Sequence, residues 1–383
     1  MTKRIGILGA GQLGGYLCIA AKNLGFRSAV LANNPAEMAA ALADEIIYES
    51  DQPLADLDAL IAKSDYITFE KEDIDPLVLE RLREHQAHGR VAVSPSVDTL
   101  LLLQNKALQK RWLCDLGLPT AHYIEVETDA SIASIRSQVG FPFVLKTERG
   151  GYDGLGVRVI RNDEPNQELG AIPSIAERYI ADRKEFAVLV VRTLTGETIA
   201  YPAVEMVFDP KGNLLRTIVA PGRLSQQLLQ EAQDLAIRAI DALGTAGVFA
   251  VELFYSDDNL LINEISPRVH NSGHHTLDAA ATSQFEQHIR CITGMPLGPI
   301  EPMQPAALIN LLCEPQLHHV CCSDQQSLAV TDRVFVHWYG KKSKRHLRKM
   351  GHLTALGDDA AAALQRAQTE YAKLTQTSQE SST

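Results

Sequence analysis

Val248-Phe249-Ala250-Val251-Glu252-Leu253-Phe254, Ser256-Asp257-Asp258-Asn259 and Leu260-Leu261-Ile262-Asn263-Glu264 read in turn as strand, turn and strand. β-Branched and aromatic residues fill the two runs and four short polar residues separate them, which predicts an antiparallel hairpin. Each run carries one carboxylate, and pairing across the hairpin brings Glu252 and Glu264 together. Like charges facing each other on apolar strands repel unless a cation lies between them. Carboxylate oxygens suit magnesium, so Glu252 and Glu264 are the candidate metal ligands. The chain then continues Ile265-Ser266-Pro267-Arg268-Val269-His270-Asn271-Ser272-Gly273-His274-His275. This polar loop lies over the end of the sheet, and Arg268 offers a fork that matches phosphate.

The 383 residues exceed one small core and suggest two or three packed domains. With 45% hydrophobic and 22% charged residues the composition is that of a soluble globular protein. No apolar run approaches the roughly 18 residues that span a bilayer. The N-terminus enters a strand at Arg4-Ile5-Gly6-Ile7-Leu8, without room for a signal peptide. A net charge of −11 argues against nucleic-acid binding. Six cysteines without a CxxC pair point to reduced thiols in the cytoplasm. Cys321-Cys322 beside His318-His319 is read as a surface loop, since four ligands so close in sequence rarely reach one ion.

Upstream, Arg4–Leu8 leads into Gly9-Ala10-Gly11-Gln12-Leu13-Gly14, a helix to about Leu24 and a strand Ser28–Ala32. GxGxxG after a strand lets backbone amides at a helix start approach a phosphate. The second strand ends Ala32-Asn33-Asn34-Pro35, without the acid that a dinucleotide enzyme places on the ribose. The loop therefore holds a phosphate of another ligand or simply makes a tight turn. Tyr66-Ile67-Thr68-Phe69 is a strand ending in Glu70-Lys71-Glu72-Asp73, where open α/β sheets bind ligands. Val91–Pro95 is a further short strand and Asp98–Leu116 one helix, stopped by Gly117-Leu118-Pro119.

From about 120 the texture is that of an α+β segment. Phe143-Val144-Leu145-Lys146 precedes Thr147-Glu148-Arg149-Gly150-Gly151-Tyr152-Asp153-Gly154-Leu155-Gly156-Val157, a glycine-rich hairpin loop suited to closing over phosphates. Strands are predicted over Glu185–Val191 and Tyr201–Phe208, and an amphipathic helix over Glu231–Leu243. A third unit after Gly298-Pro299 holds Ala306–Leu312 and Arg333–Trp338. Six basic residues in Tyr339–His352 suit a wall that binds a substrate phosphate. The Gln/Ser/Thr-rich tail after Leu374 is predicted to be disordered.

Taken together, Gly9–Gly14, Thr68-Phe69-Glu70, Gly151-Tyr152-Asp153-Gly154, Asn263–Arg268, His270–His274, Ser283-Gln284-Phe285-Glu286-Gln287-His288 and Tyr339-Gly340-Lys341…Arg348-Lys349-Met350-Gly351-His352 resemble one family. It is the 5-(carboxyamino)imidazole ribonucleotide synthases, ATP-grasp ligases of purine biosynthesis, and the resemblance covers about residues 3–360. It implies an α/β and α+β architecture: a Rossmann-like preATP-grasp domain (1–115), an ATP-grasp domain (116–298), a small C-terminal domain (299–374) and a tail (375–383). It implies that ATP, magnesium and bicarbonate carboxylate 5-aminoimidazole ribonucleotide through carboxyphosphate, giving ADP and phosphate, in a homodimer.

The same resemblance assigns site residues. Lys106, Lys146, Glu177, Ile180, Glu185 and Asn263 correspond to ATP contacts, and Glu252 and Glu264 to magnesium ligands. Gly11, Gln12, Leu13, Glu70, Tyr152, His270, Asn271, Ser272, Lys341 and Arg348 correspond to the acceptor side. Asp153, Arg268 and Lys341 are the catalytic candidates. The chain departs from the family pattern at Lys71, Asp73, Leu155, Val157, Met206, Phe208 and Gly222-Arg223. These departures leave open an ATP-grasp relative with another acceptor, or a nucleotide-binding regulatory one.

Overall fold

The computed structural model describes residues 2–127, 130–151, 156–161, 172–209, 214–317, 333–341 and 345–380, with the backbone alone at 316 and 376–380. The first unit is a parallel sheet of β1 (Arg4–Leu8), β2 (Arg27–Ala32), β3 (Glu45–Tyr48), β4 (Tyr66–Phe69) and β5 (Ala92–Val93), in the order β3-β2-β1-β4-β5. Helices α1 (Gln12–Asn23), α2 (Pro53–Ile61) and α3 (Pro76–Ala87) connect them. Its apolar core includes Leu8, Leu57, Leu60, Ile67, Phe69, Leu79 and Leu82. β3 was not anticipated: its exposure alternates half-buried and exposed, giving no buried face to its short pattern.

The single helix predicted over Asp98–Leu116 is two, α4 (Val97–Leu103) and α5 (Lys106–Asp115). Asn105 interrupts it with an extended backbone, and its side chain accepts from Leu108 N–H as the cap of α5. A short polar side chain competes with the helix for its own amides, so the break is local chemistry. It puts Lys106 in the first turn of α5.

Next come β6 (Tyr123–Val126), α6 (Ile132–Val139), β7 (Phe143–Thr147), β8 (Val157–Ile160) and β9 (Ser174–Arg178), whose strands form a sheet in the order β6-β9-β7-β8. The largest sheet gathers β10 (Lys184–Arg192), β11 (Thr198–Ala200), β12 (Val204–Asp209), β13 (Leu214–Ala220), β14 (Gly247–Ser256) and β15 (Asn259–Ser266). β16 (Ala306–Leu312), β17 (Val334–Trp338) and β18 (Lys349–Leu356) complete it. The order β15-β14-β10-β12-β13-β16-β18-β17 makes the last unit continuous with the middle one, since Thr217–Ala220 pair antiparallel with Ala306–Ile309.

Helix α7 (Gln226–Leu243) starts five residues before its predicted position, because Ser225 caps it by accepting from Leu228 N–H. It buries Ala232, Leu235, Ala236, Ala239 and Ile240 on the sheet, against Phe249 and Val251 among others. Short α8 (Thr276–Ala279) and α9 (Gln284–Thr293) follow the polar loop. The terminal helix α10 (Ala360–Glu380) runs on past Leu374, which corrects the predicted disorder up to Glu380; residues 381–383 lie outside the described residues. Among the described residues no helix is long and apolar enough to cross a membrane.

One core joins all three units: Tyr16 and Leu17 of α1, Leu189 of β10, Phe285 and Ile289 of α9, and Tyr339 after β17. Beside it, Val248 N–H donates to His288 Nδ1 at 3.1 Å, which leaves the Nε2 proton of the neutral ring for Thr68 Oγ1 at 2.6 Å. Burial holds that imidazole neutral, with its pKa down at about 3. The first parallel sheet and the large sheet are thus held in fixed relation along the seam where the polar loop lies.

Candidate active site

Adjacent pairing of β1 and β4 sets Leu8 beside Phe69, so the glycine turn and Glu70 leave the sheet together. Glu70 accepts from Gly11 N–H at 2.6 Å and from Gly14 N–H at 2.5 Å. The anion at this helix start is therefore the protein's own carboxylate. A Cβ at Gly9 would meet Glu70 Cγ at 2.3 Å and one at Gly11 its Oε1 at 2.7 Å, which explains both glycines. Burial raises the Glu70 pKa, and the two amides oppose that rise. Of the expected acceptor contacts here, Gln12, Leu13 and Glu70 line the central cleft, while the Gly11 amide is committed to Glu70.

The cleft has a volume of 760 Å³ and lies where the three units meet. On its floor β14 and β15 pair Glu252 directly with Glu264, as the hairpin reading predicts. Lys106 Nζ donates to Glu264 Oε1 at 2.8 Å. Lys146 Nζ donates to Asn263 Oδ1 at 2.9 Å, and Asn263 Nδ2 donates to Glu252 Oε2 at 3.3 Å. Burial pushes both carboxyls up, but Lys106 overrides it at Glu264, whose pKa falls below the usual range. Among the described residues no lysine or arginine bonds to Glu252, and burial with the charges of Glu264 and Glu185 lifts it to about 8. Without a cation the repulsion is thus relieved by a proton on Glu252, the electrostatic signature of a site that fits a divalent ion.

Glu177, on β9, is buried between two cations, with Lys146 Nζ at 2.8 Å and Lys110 Nζ at 3.1 Å. Burial alone would raise its pKa; the two lysines bring it down to about 2. Lys110 was not anticipated. Its spacing of four from Lys106 on α5 was the available signal, since both then face one side of a helix. Ile180 and Glu185 line the cleft as well. Ile180 O accepts from Arg183 at 3.2 Å, and Glu185 accepts from the same guanidinium at 3.0 Å.

On the opposite wall Arg268 donates through Nε and Nη2 to Glu72, the latter at 2.8 Å. Its partner stood in the acidic run Glu70–Asp73, but sequence gave no reason to single it out across 196 positions. His270 Nδ1 lies 2.9 Å from Ser272 Oγ, and its Nε2 is 3.6 Å from Glu252. Asn271 exchanges two amide hydrogen bonds with Asn310, at 3.1 and 2.7 Å. Ser272 has no exposed surface. Lys341 Nζ donates to Gln12 Oε1 at 2.6 Å. Lys349, next to Arg348 in sequence, lines the cleft.

Tyr152, Asp153 and Leu155 lie outside the described residues, as do Cys321 and Cys322. Among the departures, Val157 and Phe208 line the cleft, whereas Met206 is buried with Val204, Leu215, Ile218 and Leu308. Arg223 forms a two-pronged contact with Glu205, 2.7 Å on each side.

Three family models match: a ribonucleotide synthetase preATP-grasp domain over residues 1–104, an ATP-grasp domain over 111–285, and a phosphoribosylaminoimidazole carboxylase C-terminal domain over 306–366. The N5-carboxyaminoimidazole ribonucleotide synthase of Bacillus subtilis is 35% identical over 356 residues, covering 91% of this chain and 90% of that protein. The carboxyaminoimidazole ribonucleotide synthase of Aspergillus clavatus complexed with ATP superposes with a TM-score of 0.88 at 32% identity, covering 97% of this chain and 98% of that one. The Aspergillus clavatus enzyme in complex with ADP and 5-aminoimidazole ribonucleotide gives 0.85 at 30% identity, covering 97% of each.

Proposed function

The chain belongs to the N5-carboxyaminoimidazole ribonucleotide synthase family, and from that premise we propose that it carboxylates 5-aminoimidazole ribonucleotide with bicarbonate at the expense of ATP. The observation that carries the reading is the floor of the cleft. Two facing carboxylates, Glu252 and Glu264, stand there with Lys106 and Lys146 hydrogen-bonded to the same β15 segment.

Bicarbonate is a poor electrophile, and a phosphoryl group makes its hydroxyl oxygen a leaving group. A bicarbonate oxygen bonds to the γ-phosphorus as the bridging bond to ADP breaks, giving carboxyphosphate. Such a transfer asks the protein mainly for positioning and positive charge. Lys106 and Lys146 supply charge for the phosphates, and Ile180 and Glu185 shape the far end for the base and ribose. Glu252 and Glu264, with the Asn263 amide beside them, would hold magnesium, which when bound neutralises phosphate charge.

In the second step the exocyclic amine bonds to the carboxyl carbon, phosphate leaves with its C–O bond, and the amine loses a proton. Asp153 is our candidate for that proton, with Tyr152 next to it in sequence. Arg268 holds the bicarbonate-derived carboxylate, with His270, Asn271 and Ser272 framing the acceptor. Lys341 and Arg348 hold the 5′-phosphate, and Gln12, Leu13 and Glu70 close the wall behind them. A homodimer working in the cytoplasm belongs to the same proposal, and the free thiols of Cys18, Cys114 and Cys291 are consistent with a reducing compartment.

Oxygen bookkeeping tests the route. With ¹⁸O-bicarbonate, one labelled oxygen is expected in the released phosphate, because the bicarbonate oxygen that attacks phosphorus leaves with it. Unlabelled phosphate would contradict carboxyphosphate formation while leaving the family assignment intact.

A further inference from the structure

Strands β17 and β18 set two imidazoles side by side. His337 and His352 are direct cross-strand partners, with ring centroids 4.6 Å apart and planes inclined by 18°. Helix α8 adds Asp278, whose two carboxylate oxygens each lie 3.0 Å from His337 Nε2. One donor atom from each of Asp278, His337 and His352 falls within 4.8 Å of the other two. His352 has no exposed surface, and the Asp278 side chain is 7% exposed.

Two further features separate this group from an ordinary buried polar contact. His352 Nε2 and the neighbouring His274 Nε2 have no hydrogen-bond partner among the described residues, although both rings are fully buried. A buried ring nitrogen left without a partner is costly, so it calls for an explanation. The opposite nitrogen of His352 is already held, since Nδ1 lies 2.8 Å from Tyr339 Oη. One nitrogen without a partner while a neighbour holds the other is how metal-ligating histidines are oriented.

We infer that Asp278, His337 and His352 form a binding site for a zinc-class divalent cation, separate from the all-oxygen Glu252–Glu264 pair. Two imidazoles and one carboxylate suit zinc rather than magnesium, and three protein donors leave a fourth position for water. Zinc–donor bonds of about 2.0–2.2 Å put neighbouring donors roughly 3.3 Å apart in a tetrahedral shell. The 3.0 Å between His337 and Asp278 is already close to that spacing. The cation would tie α8, just after the Arg268–His275 loop, to the two strands that flank the segment bearing Lys341. Its role is then to fix the acceptor wall against the floor of the cleft.

The test uses the full chain, stripped with EDTA, re-equilibrated with zinc chloride, desalted, and analysed for metal by mass spectrometry. One zinc per chain is expected for the wild type and for Glu264→Gln. Asp278→Asn and His337→Gln are each expected to lose it, and Co²⁺ in place of zinc to give the visible absorption of a low-coordinate site. Zinc absent from the wild type, or retained equally by both Asp278→Asn and His337→Gln, overturns the proposal. Circular dichroism checks each variant; if Asp278→Asn does not fold, His337→Gln, at a 25% exposed side chain, decides alone.

Discussion

Glu252 and Glu264 stand opposite each other on β14 and β15, yet their carboxyls titrate in opposite directions. Lys106 lies against Glu264, while burial and two neighbouring carboxylates hold Glu252 protonated up to about pH 8. A cation entering this pair has to displace that proton. Affinity for a divalent ion therefore rises about tenfold per pH unit below pH 8 and levels off above it. Titrating the nucleotide-free protein with Mn²⁺, read by electron paramagnetic resonance at pH 6.5, 7.5 and 8.5, measures this. Equal affinity at pH 6.5 and 7.5 would contradict it.

The same shift has a consequence for folding. Glu252 has a higher pKa folded than unfolded, so its ionisation opposes the fold progressively from about pH 4.5 up to about 8. Glu252→Gln removes that cost, and the metal-free variant should be more stable than wild type by about 1–3 kcal/mol above pH 8 and unchanged near pH 4. Urea unfolding at the two pH values reads the difference; a variant less stable at high pH would refute the assignment.

Glu177 works in the other direction. Lys110 and Lys146 hold its pKa down at about 2, so the stability it contributes is present above about pH 4.5 and lost as pH falls through 2. Glu177→Gln leaves two buried lysines without their counter-charge and should cost about 3–5 kcal/mol at pH 7. Chemical unfolding measures it, and a loss below 1 kcal/mol would show that the lysines find other partners.

Arg268 meets Glu72 with two nitrogens, which a lysine cannot reproduce. Arg268→Lys keeps the charge and loses the fork, so kcat/KM for bicarbonate should fall about 10- to 100-fold, with thermal stability changed little. Steady-state kinetics against bicarbonate checks this. Unchanged kinetics would move the carboxylate-holding role to another side chain.

Local pattern carried much of this molecule. Alternation and a polar turn placed the 247–266 hairpin and its cross-strand carboxylates, and a strand followed by GxGxxG placed β1 and α1. What stayed hidden depends on pairings between distant positions. Glu70 reaches Gly11 and Gly14 only because β1 and β4 are neighbours in the sheet. Glu177 meets its lysines only once β7, β9 and α5 are packed. The continuity of β13 with β16 gives no local sign, because each is simply a short apolar strand. Asn105 was legible in principle as a cap, since Asn is among the residues preferred at a helix start.

The most direct measurement is phosphate release from magnesium–ATP, with bicarbonate and 5-aminoimidazole ribonucleotide varied independently. Release is expected to depend on bicarbonate, to be stimulated by the ribonucleotide, and to be abolished in Glu264→Gln. Release that the ribonucleotide does not stimulate, in protein that binds ATP normally, would contradict the proposed carboxylation.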